Sequence, residues 1–197
     1  MSAKLRESSA ARLLGTPGLQ HDQAQAALAA SFSVTAMAAP GALLDEASLP
    51  LFGVGECEVA EQAHALAHQL TNGLCLRPDR RSHRALLIDH ALTHRHAHPL
   101  QIAVIGHELA RRAGISSFVG ICEGEPWIVV RGESQMALVG PAHIAGHPSA
   151  QNVRPRCPHQ VARAVLTEIR ACAPPDSARR ANRLLTAMPG GRCRRHS

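Results

Sequence analysis

"HALTHRHAHPLQIAVIGHELARR", residues 90–112, decides how the rest of the chain is read. Pro99 suits the first turn of a helix, where its missing N–H had no partner anyway. Residues 99–106 are apolar except for Gln101, the mark of a helix covered on most sides. Arg111 and Arg112 favour the last turn, and Gly114 supplies a stop just beyond it. A buried helix from Pro99 to about Ala113 is therefore predicted. The string "HELAR" would give the zinc-protease pattern only if residue 111 were His, and it is Arg. His107 is accordingly read as a hydrogen-bonded interior or boundary histidine.

Beyond Gly114 the period changes. "ISSFVGIC", "PWIVVRG" and "MALVG" are short and β-branched, separated by the turn-forming "EGEP" and by "ESQ", and predict a three-stranded antiparallel meander. A loop rich in Pro, Gly and His (141–158) leads to a helix opened by Pro158 in which Val161, Val165 and Ile169 align, and a basic helix is predicted near 177–187. Upstream, Ser82 is a candidate N-cap for "HRALLIDHALTHR", with Leu86, Leu87, Ala91 and Leu92 inward. "ECEVAEQAHALAHQLTNG" aligns Val59, Ala63, Leu66, Ala67 and Leu70 and stops at Gly73. Residues 38–55, broken by Pro40, Gly41, Pro50, Gly53 and Gly55, read as a surface wrap that lodges Leu43, Leu44, Leu49, Leu51 and Phe52 inside. "HDQAQAALAASF" has helical propensity. Helices first and a meander afterwards predict an α+β chain, with a flexible N-terminus (1–18), one domain (19–176) and a basic tail (177–197).

Composition narrows the function. With 197 residues, 45% of them hydrophobic, the chain can bury a core without staples. Aromatic residues make up only 2% and Tyr is missing, so base stacking on single-stranded nucleic acid has little to work with. The net charge of +6 is matched by six arginines after Asp176 (Arg179, Arg180, Arg183, Arg192, Arg194, Arg195), so the body is neutral. Nucleic acid is expected to bind only weakly, through that tail. Neither a Walker loop, a secretory signal nor a membrane span is legible. The six cysteines are scattered without a CxxC pair, and a cytoplasmic setting with reduced thiols is expected.

"LIDHALTHRHAHPLQIAVIGHELARRAGI", then "FVGICEGEPWIVVRG", then "LVGP", in that order over residues 82–141, resemble the SirB family of bacterial transglutaminase-like proteins. The resemblance implies a transglutaminase-like or papain-like core, with a buried central helix packed on a small antiparallel sheet. Such a fold holds a cysteine at the start of that helix, a histidine on a strand and an acid on the next. Aligned on those strings, the three positions fall at Pro99, Trp127 and Gly140, none of which can do the chemistry.

The expectation is then a noncatalytic module, regulatory or scaffolding, that holds a protein or peptide partner in the former cleft and uses no cofactor. Trp127 is the expected anchor, a large apolar surface with one polar handle, with Gln101, His98 and Glu125 as further lining residues. Two alternatives stand beside it: a hydrolase or acyltransferase with a displaced cysteine, and a metal site built from His94, His96 and His98, one turn from His90. His64 and His68, four apart, form a weaker pair of the same kind.

Overall fold

The computed structural model describes residues 3–16, 18–32, 40–140, 144–145 and 153–188. In chain order these form α1 (Ala3–Leu14), α2 (His21–Phe32), α3 (Pro40–Ser48), α4 (Val59–His68), β1 (Arg77–Pro78), α5 (Ile88–His94), β2 (His96–Ala97), α6 (Pro99–Arg112), β3 (Ser117–Cys122), β4 (Glu125–Arg131), β5 (Met136–Val139), β6 (Ile144–Ala145), β7 (Arg154–Pro155), α7 (Pro158–Cys172) and α8 (Pro175–Ala187).

The quoted stretch builds the centre. α6 is buried along nearly its whole length, with Val104, Ile105, Leu109 and Ala110 fully covered. Pro99 opens it, as its spacing predicts. Gly114, at φ +75°, ends it in the left-handed conformation. The Gly114 N–H then donates to Arg111 O (3.3 Å) and Ile115 N–H to Ala110 O (2.8 Å), which satisfies two terminal carbonyls and tucks Ile115 into the core.

Chain direction then reverses three times. β3, β4 and β5 form the antiparallel meander, extended at its edges into a sheet of order β6-β5-β4-β3-β7. Glu123 (φ 52°) and Gly124 (φ 84°) join Cys122 to Glu125 through a two-residue turn with both φ angles positive, the geometry that matches strand twist. One face of the sheet receives α6 so closely that a Cβ placed on Gly106 would stand 2.2 Å from Ile128 Cδ1.

A charged clamp ties α6 to the N-terminal helices. Glu108, fully buried, accepts from Arg112 Nη1 (2.6 Å) and Arg111 Nε (2.9 Å), while Arg112 also reaches Asp22 (2.7 Å) on α2 and Asp45 (2.6 Å) on α3. A buried carboxylate is tolerated because two guanidinium groups satisfy it.

Three expectations need correction. Residues 1–18 are not a loose start throughout: Ala10 and Leu14, four apart on α1, are buried, so tertiary contact supplies what local propensity lacks. Residues 40–48 form α3, and of the apolar residues that follow, Leu51 is buried whereas Leu49 and Phe52 are exposed. The basic stretch is not a free tail as far as Met188: α8 buries Ala181 and Leu184, and its Arg180 and Arg183 pair with Glu7 of α1 at 3.1 and 2.9 Å. Arg192, Arg194 and Arg195 lie outside the described residues.

Cys57, Cys75, Cys122 and Cys172 are free thiols, whereas Cys157 is disulfide-bonded. That bridge departs from the all-reduced expectation, because spacing along the chain does not say which cysteines meet in space. Among the described residues no helix is long and apolar enough to cross a membrane.

Candidate binding cleft

A cleft of about 600 Å³ opens where three elements meet. The start of α6 gives His98 and Leu100, the β3–β4 hairpin gives Ile121, Gly124 and Pro126, and α7 with the short segment before it gives Arg156, Gln160, Val161, Ala164 and Glu168. Arg80 leans in from the loop after β1.

Local rules place these side chains. On α7, Val161, Val165 and Ile169 face the core, which leaves Ala164 and Glu168, one turn apart, on the exposed flank beside the cleft. Alternation along β4 sends Ile128 and Val130 toward α6, and Pro126, two residues earlier, reaches the cleft on the same side. His98 is the N-cap of α6: its Nδ1 accepts the Leu100 N–H at 3.3 Å. Accepting there puts the ring proton on Nε2. Burial and then the Arg80 charge push this imidazole down, against opposing pulls from Glu168, Glu125 and Asp79, so the ring is neutral at pH 7.

Of the four residues expected to bind, His98 lines the cleft and Glu125 stands at its rim, between two lining residues and ion-paired with Arg80. Gln101 does not reach it. That side chain is fully buried and donates to Gln25 Oε1 (2.7 Å) and Leu86 O (2.6 Å), tying α6 to α2. Trp127 is likewise misplaced as a cleft anchor. The alternation that turns Ile128 inward turns Trp127 to the other face of the sheet, where it packs with Cys122, Val129 and Leu138. Its ring covers Gly140, where an added Cβ would stand 2.5 Å from Cζ3. Trp127 and Gly140 thus touch on the face opposite α6, while Pro99 is buried at the start of that helix.

The histidine cluster spreads out rather than converging. His94 and His96 are exposed, His90 stacks on His94 with ring centroids 4.3 Å apart, and His98 turns into the cleft. Among the described residues no three His, Cys, Asp or Glu side chains could hold a metal ion together. His64 and His68, the weaker pair, are both exposed on α4. His107 is hydrogen-bonded, its Nδ1 3.0 Å from Ser117 Oγ, and its ring meets that of His21 edge-on at 5.0 Å. Cys122 is a buried thiol, and burial together with Glu168 pushes the Cys172 thiol up, away from nucleophilic form. No cysteine is among the described residues lining the cleft.

No family model matches the sequence, and no curated protein matches it. The fold is similar to that of menin. The crystal structure of menin that reveals its binding site for Mixed Lineage Leukemia (MLL) protein aligns with a TM-score of 0.58 at 10% identity, over 94% of this chain. The chain spans about half, 51%, of the menin chain. At that identity menin speaks to the fold alone. It replaces the transglutaminase-like or papain-like core expected above. The strings that suggested that core encode a helix stop at Gly114 and a tight hairpin at Glu123–Gly124, which any helix followed by a meander can use. The match spans 94% of the chain, well beyond the residues 82–141 in which those strings lie.

Arg156 and the α7 wall were missed from the sequence. Ala164 and Glu168 are visible as an exposed flank of a predicted helix, but nothing in their spacing says what that flank faces.

Proposed function

We propose that this chain is a noncatalytic binding module that receives a peptide segment of a protein partner in the cleft at the start of α6. The observation that carries this reading is the make-up of the cleft wall. Leu100, Ile121, Pro126, Val161 and Ala164 supply an apolar lining, and Arg80, His98, Arg156, Gln160 and Glu168 place polar groups around it. An apolar floor with a few directed polar groups is the pattern of sites that bind by burial and are made selective by hydrogen bonds. Covalent catalysis through a thiol, a hydroxyl or an amine has no candidate here, because the described lining residues include no Cys, Ser, Thr or Lys. Menin, whose structure reveals a binding site for MLL protein, lends a protein-binding precedent to the shared fold.

Ala164→Trp tests the reading, because residue 164 is exposed on α7 and the indole would fill the cleft without entering the core. Peptides selected from a displayed random library on the wild-type chain are expected to lose at least about tenfold in affinity for this variant. A selection that enriches nothing, or peptides that bind both proteins alike, removes the proposal.

A further inference from the structure

The charges around the cleft are unevenly spent. Arg80 is paired with Glu125 at the rim. The His98 ring is committed through Nδ1 to the Leu100 N–H and presents a neutral donor. Gln160 Oε1 accepts the Cys157 N–H at 3.1 Å, which leaves its amide N–H groups as donors. Two charges stay without a hydrogen bond or ion pair to any described residue: the guanidinium of the half-buried residue Arg156 and the carboxylate of the exposed residue Glu168.

Both are held on rigid supports. The Arg156 N–H donates to Val119 O at 2.8 Å, fixing this residue to the edge of β3, just before α7 begins. Glu168 lies ten residues after Pro158 in the same helix, about 15 Å along its axis at 1.5 Å per residue. The N-terminal end of α7, beside Arg156, adds to the attraction for an anion, while the helix polarity at Glu168 does not oppose a cation. An extended peptide advances about 3.4 Å per residue, so four or five residues span that separation.

We infer that the peptide held in the cleft is dipolar, with an acidic side chain against Arg156 and a basic side chain against Glu168, four or five positions apart. This rests on the peptide-binding reading of the same cleft. An unpaired guanidinium on the cleft wall can take a carboxylate from the partner in a charge-assisted, bidentate pair. Apolar contacts to Leu100, Ile121 and Val161 then lie between the two charged ends. The arrangement also fixes direction: an extended chain bound in one polarity meets Arg156 and Glu168 in one order.

The test uses fluorescent decapeptide pools, N-acetylated and C-amidated, each with one Glu and one Lys fixed in an otherwise random uncharged background. Pools with the two charges four or five apart, in one of the two orders, are expected to bind the full chain at least about tenfold more tightly than pools carrying Gln at both positions. Arg156→Gln and Glu168→Gln should each erase most of that preference. Both residues lie outside the core, and circular dichroism reports whether each variant is folded. The double variant Arg156→Glu/Glu168→Arg should prefer the opposite order. If uncharged pools bind as tightly as charged ones, and Ala164→Trp still blocks them, the dipolar inference fails while the peptide reading stands. If no pool binds the wild type, both fail.

Discussion

Gly106→Ala sets two opposing effects against each other. In a helix interior alanine is favoured over glycine by about 1 kcal/mol, so propensity alone makes the change stabilising. The close approach of α6 to β4 reverses the sign. The new methyl would stand 2.2 Å from Ile128 Cδ1, 3.0 Å from Ile128 Cγ1 and 3.1 Å from Leu70 Cδ1. Ile128 is fully buried and Leu70 nearly so, so neither can swing into solvent to make room. Overpacking of a filled core costs about 1–3 kcal/mol, and the shortness of the Cδ1 contact puts this site at the upper end. The net is a loss of about 1–2 kcal/mol, or roughly 3–6 °C in Tm for a chain of this size. Urea titration followed by circular dichroism measures it. Ile128→Val removes the offending Cδ1 and alone costs about 1 kcal/mol, yet added to Gly106→Ala it should recover stability, a coupling of at least about 1 kcal/mol. An unchanged or raised stability for Gly106→Ala would refute the close packing of α6 on β4.

Two further outcomes follow from buried groups. Burial, and then the neighbouring His107, pushes the His21 imidazole from 6.5 down to about 3, against pulls from Asp22 and the Arg156 backbone, and its Nδ1 has no partner. The folded state therefore binds fewer protons than the unfolded one between those values, so stability present above pH 6.5 is lost as pH falls toward 3, by about 1.4 kcal/mol per unit; in urea melts at pH 7 and pH 4.5, His21→Leu should lose about 3 kcal/mol less than the wild type, and equal losses would contradict the buried neutral ring. Gly140→Ala should push the indole of Trp127, the chain's single tryptophan, outward toward water, shifting its emission to the red, whereas an unshifted spectrum would contradict the stacking of Trp127 on Gly140.

Most of the local architecture was legible because its signals are local. Pro99, the apolar run to Gly106 and Gly114 mark α6, and the β-branched runs flanking Glu123–Gly124 mark the hairpin. What went astray depends on contacts distant in sequence. Trp127 was assigned to the cleft because the family resemblance aligned it with a site position, and "PWIVV", apolar throughout, offered nothing to correct that. A strand covered on both faces loses the alternation that would have shown which way each side chain points. Gln101 looked like a polar group in a cleft, yet its partner Gln25 lies 76 residues away. The wall contributed by α7 depends on where that helix docks, which its own period does not specify. The family resemblance rested on turn and stop chemistry shared by unrelated folds, and so pointed to the wrong core.

The central proposal is that a peptide lies between α6, the hairpin and α7, and methyl NMR reads it most directly. On adding a selected peptide to the wild-type chain, the methyl signals of Leu100, Ile121, Val161 and Ala164, which line the cleft, should shift, while those of Val129 and Leu138 beneath Trp127 stay in place. Shifts confined to Val129 and Leu138, with the cleft methyls unmoved, would contradict it.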